Sequence, residues 1–204
     1  MTIRNSRSKI SDFLYLQFST KKSYYILFAL NVIIGVIIFA ISSNWYFPDS
    51  KGYWLMAESM HYGKFSSWYI LDKYYPETLR TPGYPVFLAI CQFITKSQLF
   101  PKFLQLLIYF LTIFLCTKII EKINAGYIYR SIFLLLLIPN IQVAYYAGFI
   151  CTEMTTTFFV TLIMYLLLSE RNLSNVILMA VSCYCAFIIR PAFLLFPFAM
   201  YVYL

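Results

Sequence analysis

Four charged side chains stand where the chain enters or leaves apolar runs: Asp49, Arg80, Glu153 and Arg190. A charge at membrane depth is costly and is kept only when it is paired, hydrated or used. Asp49 lies in YFPDSKGYWLMAESM, directly after the first apolar run, with Tyr53 and Ala57 behind it at four-residue intervals. An Asp after a Pro is also a good helix N-cap, so helix capping is the plain alternative for its carboxylate. Glu153 and Arg190 each stand at the mouth of an apolar run. They either pair with one another, or Arg190 reaches headgroup phosphates, or both serve a site. Arg80 opens RTPGYP, whose prolines and glycine make a rigid turn into a helix, with Pro85 a natural first-turn residue.

Metal chemistry has little to work with. His61 is the one histidine, which rules out an HExxH motif in this chain. Cys91, Cys116, Cys151, Cys183 and Cys185 form no CxxC pair and read as small apolar fillers. No metal ligand set is assigned.

The elements that must position these residues are membrane helices. Of 204 residues 61% are apolar and 12% charged, more apolar surface than one soluble core of that length buries. The expected fold class is all-α, a polytopic transmembrane helical bundle in a single membrane domain spanning 1–204. The net charge of +8 is confined to two stretches. Arg4, Arg7, Lys9, Lys21 and Lys22 precede the first run, and Lys96, Lys102, Lys118, Lys122 and Arg130 flank later ones, whereas the charges of 44–83 cancel. That is the positive-inside pattern and no nucleic-acid patch.

Segment 1–23 is therefore expected to be cytoplasmic, 24–43 to be a retained first span, and 44–82 to be an external loop. The loop's many Tyr and Trp residues favour the bilayer surface, so one or two interfacial helices are expected, with 51–64 the best candidate. The charge bias over 83–120 favours one full crossing and a shorter, partly embedded helix from Pro85. Spans over 131–144, 155–168 and 176–189 follow. Asp49, Glu153 and Arg190 then share the external face of a multi-pass plasma (bacterial inner) membrane. The apolar stretch 192–204 stops part-way through an expected crossing, and the chain reads as truncated.

Asp49, Tyr53 and Ala57 after the first span, RTPGYP at the end of the first loop, Pro139, Glu153 opening a later span and IIRP at 188–191 occur in an order that resembles the N-terminal half of the C-type glycosyltransferases. These multi-span enzymes include the protein O-mannosyltransferases and the lipid A aminoarabinose transferases. The resemblance implies an inverting transfer of a sugar from a polyprenyl-phosphate carrier to an acceptor on the outer face. It implies Asp49 as the catalytic general base, with Arg190 first and Arg80 second as cations for the leaving phosphate. Glu153 matches a second acidic position near the site, and Tyr53 belongs to the Asp49 motif. The partners implied are membrane lipid, the lipid-linked sugar donor and an acceptor, whether protein, lipid or polysaccharide, together with a C-terminal half to complete the donor site. Lys51, two residues from Asp49, either acts on that carboxylate or touches headgroups. The alternative is a non-enzymatic membrane protein: a relic, an assembly partner or a carrier of polyprenyl-linked lipid.

Overall fold

The computed structural model describes residues 16–44, 47–70, 73–123, 126–195 and 198. The described chain is helical, with one small hairpin in the first loop. Helix α1, Lys21–Ser42, starts where Thr20 Oγ1 accepts the Ser23 amide at 3.1 Å. It begins three residues earlier than the apolar run because the cap, and no hydropathy boundary, sets the first turn. Its long apolar stretch is broken by Asn31, which is buried and donates to the Leu27 and Leu134 carbonyls. That side chain ties α1 to α5, Tyr127–Leu137.

The loop holds α2, Ser50–Met60, and an antiparallel pair of β1, Trp68–Ile70, with β2, Lys73–Tyr75, in which Trp68 faces Tyr75. Where one or two interfacial helices were expected, the described residues of the loop hold one helix, and its end falls short of Lys64. Gly63 has a φ of 68°, and its amide returns to the Met60 carbonyl at 3.0 Å, which closes the helix. His61 sits at that end, its Nε2 3.0 Å from Gln92 Oε1.

Helix α3, Gly83–Ile94, has 12 residues and α4, Leu99–Ile123, has 25. At 1.5 Å per residue α3 is about 18 Å long and α4 about 37 Å, so only α4 has the length of a crossing. The stretch expected as one span over 131–144 is two helices, α5 and α6, Ile141–Ala147, bent by 73°. Pro139 lies in the break; it has no amide to donate, and its ring clashes with the preceding turn. Helices α7, Glu153–Leu167, and α8, Leu173–Ile189, follow, then a single 3-10 turn, Pro191–Phe193. The expected final apolar stretch lies largely outside the described residues. Among the described residues two helices, α1 and α4, are long and apolar enough to cross a membrane, or three if the bent pair is one span.

Helix α7 packs along α4 and α8, α1 along α5 and α6, and α2 on α3. Two buried clusters result. Tyr24, Leu27, Ile38, Leu106, Tyr109 and Leu134 fill the space between α1, α4 and α5. Trp54, Ala57, Tyr84, Leu88, Ile150 and Ile189 form the second, joining α2, α3, the loop before α7 and the end of α8. The second cluster is the platform on which the charged residues stand.

Candidate functional site

Asp49 precedes α2 in the N-cap position but does not act as a cap. Its backbone is already helical, with φ −83° and ψ −11°, and its side chain makes no capping hydrogen bond. A cap residue normally takes extended backbone so that its side chain can turn back on the first amides. The neighbouring hydroxyl serves locally instead, Ser50 Oγ accepting the Phe47 amide at 3.2 Å. The Asp49 carboxylate is 48% exposed, and its Oδ1 accepts from Arg80 Nη2 at 2.7 Å.

Arg80 is held from three sides. Its Nη1 is 3.5 Å from Glu77 Oε2, and its guanidinium lies over the Tyr53 ring, 5.5 Å from the centroid. Burial alone would favour the neutral form, but the hydrogen bond and charge of Asp49, then the charge of Glu77, push the Arg80 pKa up. Glu77 is only 6% exposed. Burial would raise its pKa; the Ser67 hydroxyl at 2.6 Å, the Leu79 amide at 3.1 Å and the Arg80 charge win and hold the carboxyl below its usual range.

The second pair, Glu153 and Arg190, is built by helix ends. Glu153 is in the first turn of α7, and Arg190 follows the last residue of α8. Each charge complements its helix dipole. Their closest atoms, Glu153 Oε1 and Arg190 Nη1, are 3.7 Å apart, longer than a charge-assisted hydrogen bond.

Three contacts fix the two pairs relative to each other. Ser50 Oγ, next to Asp49, donates to the Ile150 carbonyl at 2.9 Å. Thr81 Oγ1, next to Arg80, donates to the Ile189 carbonyl at 3.0 Å, one residue from Arg190. Gly83 lies so close to α8 that a Cβ there would be 2.6 Å from the Ile188 carbonyl carbon and oxygen. The RTPGYP turn is thus wedged against the end of α8, as an architectural role requires. Tyr53 stands between the pairs. Burial first, then the Asp49 charge, push its phenol pKa up; Arg80 opposes, Glu153 adds to the rise and the Thr152 hydroxyl lowers it. Cys151 beside Glu153 is buried, and burial with that carboxylate raises its thiol pKa.

No family model matches the chain, and no curated protein or solved structure matches it. The site's chemistry therefore rests on its own geometry.

Two hollows adjoin it. One, about 380 Å3, is lined by Glu153 and Arg190 at one end and by Tyr146, Val160, Thr161 and Phe193 along its walls. The other, about 750 Å3, lies on the opposite side of α2 and has Arg80 in its wall. Lys51 lines this second hollow and makes no ion pair with Asp49. Among the described residues no three His, Cys, Asp or Glu side chains are placed to hold a metal ion.

The structure brings Asp49, Arg80 and Tyr53 together and joins Glu153 to Arg190. Sequence reasoning passed over Glu77, Ser50 and Thr81, the residues that hold these groups in place. The i, i+3 spacing of Glu77 and Arg80 was the available signal for the first.

Proposed function

We propose that the chain is a polytopic membrane protein carrying the catalytic module of a polyprenyl-phosphate-dependent glycosyltransferase of the C type, with its site on the outer face. The observation that supports this best is the state of Asp49. A carboxylate that local rules would spend on capping is half exposed, oriented by an arginine, and one tyrosine away from a second cation. An ionised carboxylate has several lone-pair positions, so the single bond from Arg80 leaves it able to accept a substrate hydroxyl.

In this reading the carrier's isoprenoid chain lies in the groove along α7 and its phosphate meets Arg190. An acceptor hydroxyl bonds to Asp49, and its oxygen attacks the anomeric carbon as Asp49 takes the proton. The bond from that carbon to the phosphate oxygen breaks, and the electron pair leaves with the phosphate. Arg190 faces charge that grows as this bond breaks, so it stabilises the transition state more than the ground state. Glu153 keeps Arg190 in place, and Arg80 and Tyr53 orient Asp49. The direct displacement inverts the anomeric centre.

The non-enzymatic reading has one observation in its favour: Asp49 and Arg80 satisfy each other as a structural ion pair would. Asp49→Asn separates the two, because the amide oxygen still accepts from Arg80 while the base is gone. The measurement is release of labelled hexose from a polyprenyl-phosphate hexose by equal amounts of folded parent and variant. Loss of a general base lowers the rate roughly 10²–10⁴-fold. Rates within about threefold of each other, far below that loss, would remove Asp49 from the chemistry.

A further inference from the structure

Helix α2 has two faces of opposite character. Tyr53, Trp54, Ala57 and Met60 point into the second buried cluster. Lys51, Gly52, Leu55, Glu58 and Ser59 lie on the other side of the helical wheel and, with Tyr62 just past the helix end, line the hollow of about 750 Å3. That volume is in the range of small-molecule sites, roughly 300–1,000 Å3. Arg80 belongs to both sides: it holds Asp49 and stacks on Tyr53, and its guanidinium lies 3.4 Å from where a Gly52 Cβ would be.

We propose that this hollow is the acceptor site and that the acceptor it takes is a saccharide hydroxyl. The proposal rests on the transferase reading and adds to it the place and chemical class of the second substrate. Inversion requires attack from the side opposite the leaving group. The hollow under α2 reaches Asp49 through Arg80, which lines it and bonds that carboxylate, and through Pro48 and Lys51 on either side of Asp49, while the groove holds Glu153 and Arg190; in the proposed reaction the sugar lies between them, with phosphate on one side and acceptor on the other.

The wall chemistry selects the acceptor. Ser59 Oγ donates to the Met56 carbonyl at 2.8 Å and Ser67 Oγ donates to Glu77 at 2.6 Å. Their protons are committed; the Ser59 oxygen already accepts the Ser66 amide at 3.0 Å and keeps one lone pair, and the Ser67 oxygen can accept. Glu58 accepts the Trp54 indole at 2.9 Å with one oxygen and, as a carboxylate, has further capacity. Lys51, Lys64 and Arg80, three cations in the same wall, are donors only. A wall that offers cationic donors beside carboxylate and hydroxyl acceptors suits a ligand dense in hydroxyls, each of which donates and accepts. A plain aliphatic alcohol would leave the polar wall unmatched, and peptide amides and carbonyls, which cannot exchange donor and acceptor roles, match it less fully than hydroxyls do. Leu55 supplies an apolar patch, and Tyr62, 81% exposed at the rim, supplies a ring face for the C–H side of a pyranose.

The test uses the purified full chain with a labelled polyprenyl-phosphate hexose and three acceptors: methyl hexosides and disaccharides, a Ser/Thr hexapeptide, and decanol. Transfer to the methyl glycosides is expected. Leu55→Trp, which fills the hollow, should raise the glycoside KM at least about tenfold and leave donor binding unchanged. Glu58→Gln keeps an acceptor for Trp54 and should raise the same KM roughly 10–100-fold, the usual effect of a hydrogen bond to a charged group. This second variant reads the site even if the tryptophan does not fold. Transfer to peptide or decanol in preference to glycosides would overturn the proposal. So would a bound donor with no glycoside used, or a KM within about threefold of the parent in Glu58→Gln. A parent chain that binds no donor would sink the transferase reading itself, and the acceptor site with it.

Discussion

Arg190→Ala, made alone and together with Glu153→Gln, distinguishes a cation that holds the fold from one that binds phosphate. At 3.7 Å two unit charges attract by about 1 kcal/mol in water and by about 4–5 kcal/mol at an effective dielectric of 20. The arginine side chain is 50% exposed and the glutamate 27%, so solvent screening and the ordering of two long side chains bring the net worth to about 0–1 kcal/mol. Losing Arg190 should then lower the thermal midpoint by no more than about 4 °C for a chain of this size. A phosphate contact is a different magnitude, about 1.5–3 kcal/mol for a charge-assisted hydrogen bond. That corresponds to roughly 10–150-fold in the dissociation constant of the carrier. The assay is titration of decaprenyl phosphate into detergent-purified parent, Arg190→Ala and the double variant, with thermal unfolding of each. A midpoint drop of more than about 8 °C that the double variant restores would show a structural pair. Carrier affinity unchanged within about threefold would refute the phosphate role.

Gly83→Ala places a methyl 2.6 Å from the Ile188 backbone, which cannot yield as a side-chain tip would, so a loss of about 1–3 kcal/mol is expected in thermal or denaturant unfolding. Glu77 has a depressed pKa, so its stabilisation is present above its ordinary value of 4.5 and fades as pH falls through the lower folded value. Glu77→Gln should therefore lower the unfolding midpoint at pH 7, and parent and variant should converge in acid. Topology is checked by impermeant thiol labelling of intact cells. Leu79→Cys, at an 88% exposed position of the first loop, should react, and Arg171→Cys, exposed in the turn between α7 and α8, should not. The reverse pattern would put Asp49 on the wrong face for the proposed reaction.

Hydropathy was enough to locate α1 and α4, which among the described residues are the two single helices long and apolar enough to cross a membrane, because it is a local sum over many residues. Asp49 marks where local reasoning stops. The capping rule depends only on neighbours in sequence, whereas the partner that diverts this carboxylate, Arg80, lies 31 residues away. The hairpin was missed for a related reason: its strands are three residues each, too short for an alternation to register, and they exist through the pairing of Trp68 with Tyr75. Pro139 was visible, and the bend beside it was not drawn because the apolar run continues on both sides. Motif order tied Tyr53 to Asp49 but gave Arg80 only as a second cation for the phosphate, and its pairing with Asp49, like the hollow under α2, depends on how the loop folds back and has no signature in the sequence.

Gln105 gives the site a particular way of failing. This buried side chain on α4 accepts the Tyr84 phenol of α3 and donates to the carbonyls of Tyr146 and Phe149 on either side of the turn before α7. One carboxamide thus satisfies three partners, and no other side chain of its size offers one acceptor and two donors in that plane. The Tyr146 carbonyl also accepts from the Phe149 amide at 3.4 Å and the Cys151 thiol at 3.6 Å, so the costly release is that of the Phe149 carbonyl and of the Tyr84 phenol, which is buried away from water. Warming should therefore unlatch α3 and the turn ahead of Glu153 as a unit. The groups around Tyr53 would lose their mutual geometry in one step, at a temperature below that at which the long helices themselves come apart.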